Sequence, residues 1–94
     1  NSILQWNLNS YKRKFNEIKL IVRKLAPACI CLQETLITTA GIYPPSGYDV
    51  IHRPSDPTLN HDRGVAVLIN KNFHYEPINL NTNLQAIAIK LYPD

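Results

Sequence analysis

The sequence predicts an α/β fold of the α+β kind, built mainly on one mixed sheet with one amphipathic helix. Three observations carry this. Short apolar runs at residues 28–32 and 64–69 are rich in Ile, Val, Leu, Cys and Ala, as strands buried on both faces are. Between residues 11 and 25 the apolar residues recur at three and four, the period of a helix with one covered face. The remaining strand-like segments are short and separated by Gly, Pro, Asn and Asp.

The chain opens on Ile3, Leu4, Gln5 and Trp6, a β-favouring cluster that reads as a first strand ending at Asn7. The polar stretch 7–10 is a turn in which Asn9 or Ser10 can cap a helix, its side-chain oxygen accepting from free N–H groups. The helix is predicted over Tyr11–Leu25, with Phe15, Ile18, Val22 and Leu25 as its apolar stripe and Leu20 and Ile21 at or beyond the edges. Pro27 ends it, because proline disfavours helix at the preceding residue.

The second strand runs into Gln33, Glu34 and Thr35, where the apolar residues stop abruptly. A carboxylate at the end of a buried strand stands on a sheet rim, where open α/β folds build sites. Such a carboxylate can ligate a hard cation such as Mg²⁺, or it can be a solvated strand end. Loops are expected at 38–47 and 53–63. Further strands are predicted at 48–52, 64–69, 73–78 and 84–92. Pro77 restricts the fifth to an edge or bulge. In the sixth, Ala86, Ala88 and Lys90 alternate with Ile87, Ile89 and Leu91. One helix cannot cover both faces of a sheet containing doubly buried strands, so a second layer is expected from outside this sequence.

Composition sets the limits. Ninety-four residues make at most one small domain. The net charge of +3 tolerates an anionic partner without demanding one. Lys12, Arg13, Lys14, Lys19, Arg23 and Lys24 face only Glu17 on the predicted helix, which makes either a solvated face or a phosphate-tracking surface. No apolar run approaches the roughly 20 residues that span a bilayer, so no membrane is expected. The chain has no Met and is expected to begin inside a longer reading frame or after processing. Cys29 and Cys31 share one sheet face, do not match metal or redox spacing, and read as buried free thiols in a reducing compartment.

Three motifs together resemble the endonuclease/exonuclease/phosphatase superfamily: Gln5-Trp6-Asn7, Leu32-Gln33-Glu34-Thr35, and the segment from Arg63 through Ile69. The nearest subgroup is the apurinic-endonuclease-type domain of non-LTR retrotransposons, of I-type or Jockey-type. The resemblance implies that residues 1–94 are the N-terminal half of a four-layer α/β sandwich. It also implies a DNA endonuclease using Mg²⁺ or Mn²⁺, with Glu34 as metal ligand and Asn7 beside metal and scissile phosphate, both counted as catalytic. Partners implied are DNA, the C-terminal half of the domain and a downstream reverse transcriptase, and the protein would be intracellular and act in the nucleus. Two positions depart from the family pattern. Ser10 stands where glycine is usual, and Gly64 is preceded by Arg63 rather than by a second glycine. The family's later Gly-Asp-Phe-Asn and Ser-Asp-His motifs do not occur, and His52, His61 and His74 do not replace them. The 94 residues alone are therefore expected to be inactive, with a non-catalytic nucleic-acid-binding or structural module as the alternative.

Overall fold

The structure, a computed structural model, describes residues 2–39, 41–59, 63–78 and 86–92. Its elements are β1 (Ile3–Asn7), α1 (Tyr11–Leu25), β2 (Cys29–Gln33), β3 (Tyr48–Arg53), β4 (Val65–Asn70), β5 (His74–Ile78) and β6 (Ala88–Tyr92). The predicted elements are all present, but the sixth strand begins at Ala88, with Ala86 and Ile87 leading into it rather than belonging to it. Residues 84 and 85, the predicted start of the sixth strand, lie outside the described residues, as does His61.

Four strands form one mixed sheet in the order β1-β2-β4-β3. β1 and β2 are parallel, and α1 makes the crossover between them that parallel strands require. β4 runs antiparallel to both β2 and β3. β5 and β6 pair antiparallel as a separate two-stranded sheet.

Side chains alternate across the main sheet with the period of two that a strand imposes. Leu4, Trp6, Ile30, Leu32, Tyr48, Val50, Ala66 and Leu68 belong to the cluster that also takes Tyr11, Phe15, Ile18, Ile21 and Val22 from α1. Cys29, Cys31, Ile51, Val67 and Ile69 belong to a second cluster, completed by Tyr75, Ile87, Ile89 and Leu91 from the hairpin and its approach. The expectation that a second layer must come from elsewhere is corrected here. The β5–β6 sheet supplies apolar cover to the second face, and the alternation of residues 86–91 aims its isoleucines at that face. Cys29 is a buried free thiol and Cys31 a half-buried one; burial, and then its neighbour Cys31, push the Cys29 thiol upward, so it stays protonated.

The helix departs from its predicted stripe at both ends. Leu25 is 58% exposed, because it is the last helical residue and Ala26 turns the chain away in the left-handed conformation, φ 41°. Tyr11 takes a core place instead, and packs its ring against Phe15 at a tilt of 49°, centroids 5.6 Å apart. Ser10 is the cap, its Oγ accepting from Arg13 N–H at 3.3 Å. Arg23 and Lys24 occupy the last turn, where cations favour the helix dipole. Among the described residues, no helix is long and apolar enough to cross a membrane.

Candidate functional site

Parallel pairing of β1 with β2 puts Asn7 opposite Gln33, so Asn7 and Glu34 leave their strands side by side at one rim of the sheet. β4 enters and β3 leaves at this same rim, bringing Arg63, Gly64 and Arg53 to it. Asn7 is exposed and Glu34 is partly covered.

The rim is tied together by backbone hydrogen bonds. Leu8 N–H donates to the Gln33 carbonyl at 2.9 Å, Ser10 N–H to Glu34 at 3.0 Å and Tyr11 N–H to Thr35 at 2.9 Å. From the other side, the Gly64 carbonyl accepts from Thr35 N–H at 3.2 Å, and the Arg63 carbonyl from Leu36 N–H at 2.9 Å. Glu34 and Leu36 each hold φ 55°, a left-handed conformation that non-glycine residues keep only where the surroundings enforce it. Ser10, at φ 117°, is likewise in a region that favours glycine. Thr35 is fully buried between them, with Oγ1 at 3.1 Å from His52 Nε2. His52 thus braces the rim from β3, a role the sequence reading did not assign. His74 is exposed on β5.

Glu34 Oε1 lies 2.9 Å from Arg63 Nε. This partner was absent from the predicted site. The sequence displayed Arg63 as a departure from pattern, but only the β2–β4 register shows that it lands on Glu34. Arg53 is turned toward the hairpin, where its Nη1 donates to the Ala86 carbonyl at 3.2 Å. Lys14 Nζ donates to the Leu8 carbonyl at 3.1 Å, so one helix cation serves the turn after Asn7. Lys12, Arg13, Lys19, Arg23 and Lys24 are exposed.

The donors suit a hard cation in one limited sense. Glu34 is a carboxylate on a backbone held from both sides, Asn7 carries an amide on the neighbouring strand end, and Mg²⁺ is commonly held by one or two carboxylates with waters and substrate phosphates. A fully protein-built cage is not present: among the described residues no group of three or more His, Cys, Asp and Glu side chains could hold a metal. A groove of about 450 Å³ lies beside the rim rather than on it, between the start of α1 and the loop after β2, lined by Tyr11, Lys12, Phe15, Ile37, Ile42 and Tyr43. Asp56 sits in the loop after β3, where hydrogen bonds from Thr58 hold its carboxyl below the usual carboxylate range.

Fold and rim define a mixed α/β chain with one preorganised carboxylate at the C-terminal ends of two parallel strands. No family model, curated protein or solved structure matches it.

Proposed function

We propose that the chain supplies the first carboxylate of a Mg²⁺- or Mn²⁺-dependent DNA endonuclease that nicks target DNA by phosphodiester hydrolysis for retrotransposon integration. The observation that carries this reading is the placement of Asn7 and Glu34 on adjacent parallel strand ends, with the backbone after Glu34 held from both sides. Sites in open α/β sheets form at that carboxyl edge. Glu34 offers a fixed negative charge for the cation, and Asn7 offers an amide to orient a phosphate oxygen. A divalent cation bound there would polarise the phosphoryl oxygen and stabilise charge on the leaving oxygen.

The resemblance assigns one carboxylate, Glu34, and one amide, Asn7, to the metal, so the reading assigns the further acidic ligand and the base for water to sequence beyond these 94 residues. That sequence would complete a four-layer sandwich and lead to a reverse transcriptase, in a protein acting in the nucleus. A second reading, a nucleic-acid-binding or structural module without catalysis, is favoured by the pairing of Glu34 with Arg63 and by the exposed basic face of α1.

Nicking of supercoiled plasmid in Mg²⁺ separates them. The 94 residues alone should leave the plasmid intact, because the resemblance puts the general acid–base groups, worth roughly 10²–10⁴ in rate, in motifs that this sequence does not contain. The chain joined to the sequence that follows it in its reading frame should nick, and Glu34→Ala should abolish the nicking. Nicking that survives Glu34→Ala sinks the site assignment. A joined chain that binds DNA with steep salt dependence yet never nicks selects the second reading.

A further inference from the structure

We infer that Arg63 is a built-in counter-ion for Glu34, holding the carboxylate when no cation is bound and yielding it when a divalent cation arrives. Its freed guanidinium then binds a phosphate of the nucleic acid. This inference rests on the proposed cation site at Glu34.

The two backbones cannot separate easily. Leu36 N–H is bonded to the Arg63 carbonyl and Thr35 N–H to the Gly64 carbonyl, while Gly64 adopts a left-handed conformation with φ 87°. Exchange must therefore happen in the side chains. They are unequally free to move: the Arg63 side chain is 53% exposed and that of Glu34 only 27%. The arginine can swing into solvent while the carboxylate stays at the rim.

A cation and a guanidinium compete for the same negative charge, and they repel each other. Among the described residues Glu34 is the rim carboxylate that Arg63 pairs with, so both cannot use it fully. An ion pair this exposed is weak, and displacing it should change cation affinity only by roughly two- to fivefold. That makes it a reversible guard rather than a block. Arginine also suits the second role, because its planar fork matches phosphate as well as carboxylate. The rim would then exchange one pairing for two complementary ones, carboxylate with cation and guanidinium with phosphate.

The test uses Mn²⁺ broadening of backbone amide resonances, which reports weak binding without requiring activity. Wild type, Arg63→Gln, Arg63→Lys and Glu34→Gln are compared, with far-UV circular dichroism to show that each is folded. Broadening at Asn7 and Glu34 should reach its midpoint at roughly two- to fivefold lower Mn²⁺ in Arg63→Gln. Arg63→Lys, which keeps the charge, should lie near wild type, and Glu34→Gln should lose the effect. With Mn²⁺ present, Arg63→Gln should also bind a short DNA duplex several-fold more weakly. Broadening that depends on Glu34 but has the same midpoint in Arg63→Gln overturns the counter-ion and leaves the cation site standing. Absence of broadening at the rim in every variant overturns both. A shifted midpoint with unchanged DNA binding overturns the phosphate role.

Discussion

Thr35 and Gly64 are in direct contact across the rim: Thr35 N–H donates to the Gly64 carbonyl at 3.2 Å, and Thr35 Oγ1 fills the space a Cβ on residue 64 would need. Gly64 also holds φ 87°, and the same Cβ would stand 3.2 Å from Ser55 N. Gly64→Ala combines backbone strain with overpacking against a buried residue, each worth about 1–3 kcal/mol. A loss of about 2–4 kcal/mol in urea unfolding is expected, and a variant within 0.5 kcal/mol of wild type, roughly a neutral surface change, would show that the contact is slack.

The covered face of α1 makes a graded series. Ile18 is fully buried, Phe15 is half-buried, and Leu25 is largely exposed. Ile18→Ala should cost about 2–5 kcal/mol through lost burial and a cavity. Phe15→Ala should cost less than the ~3–5 kcal/mol of a fully buried phenylalanine. Leu25→Ala should stay within about 0.5 kcal/mol. The order of the three midpoints in denaturant checks the assignment, and a costly Leu25→Ala would contradict it.

At Ser10 two effects oppose each other. Its hydroxyl caps α1, while its φ of 117° suits glycine better than serine. Replacing a serine cap by glycine loses only a few tenths of a kcal/mol, roughly, whereas strain of this kind costs about 1–3 kcal/mol. Ser10→Gly should therefore raise stability by about 1 kcal/mol, and Ser10→Ala, which keeps the strain and removes the cap, should lower it by about as much. Thermal or urea unfolding of the pair decides; a destabilised glycine variant would mean that the turn carries no strain.

Alkaline pH should weaken the fold in a defined window. Burial pushes the Tyr11 hydroxyl up to about 12, and its O–H donates to the Tyr43 carbonyl at 2.5 Å. The fold favours neutral Tyr11, so its contribution is complete below the ordinary tyrosine value of 10.0 and is lost as pH rises from there through about 12. Tyr48 is also raised, chiefly by burial, and contributes in the same direction. Tyr11→Phe should be less stable by about 1 kcal/mol at neutral pH, having lost one hydrogen bond, and should lose less stability on going alkaline. Urea midpoints measured for both proteins across this range test it; parallel curves would remove Tyr11 as a contributor.

Much of the secondary structure was legible in local pattern. The apolar runs of β2 and β4, the period of α1 and the breakers around Pro27 and at residues 53–63 act through neighbours in sequence, so they can be read there. Pairing acts between distant residues and cannot. The apolar run of β4 marks a central strand, but nothing local indicates that its neighbours are β2 and β3, or that Ile87, Ile89 and Leu91 would cover Val67 and Ile69. The site divides in the same way. Asn7 and Glu34 were visible as polar residues ending apolar runs. Arg63 and His52 became part of the rim only through the β2–β4 and β3–β4 registers, and the left-handed turn at Glu34 follows from bonds made by Ser10, Gly64 and Arg63.

The order in which the rim can form follows from how it is stitched. Helix α1 depends on near neighbours, but the bonds from Thr35 to Gly64 and from Leu36 to Arg63 close a long loop of chain. Contacts of that kind bear their loop-closure entropy before they return any stabilisation, and they set the slow steps of folding. The amides of Thr35 and Leu36 should thus gain hydrogen-exchange protection late, with the pairing of β2 and β4, after helical amides are already shielded. A nascent or partly unfolded chain carries Glu34 and Arg63 without the ion pair they make.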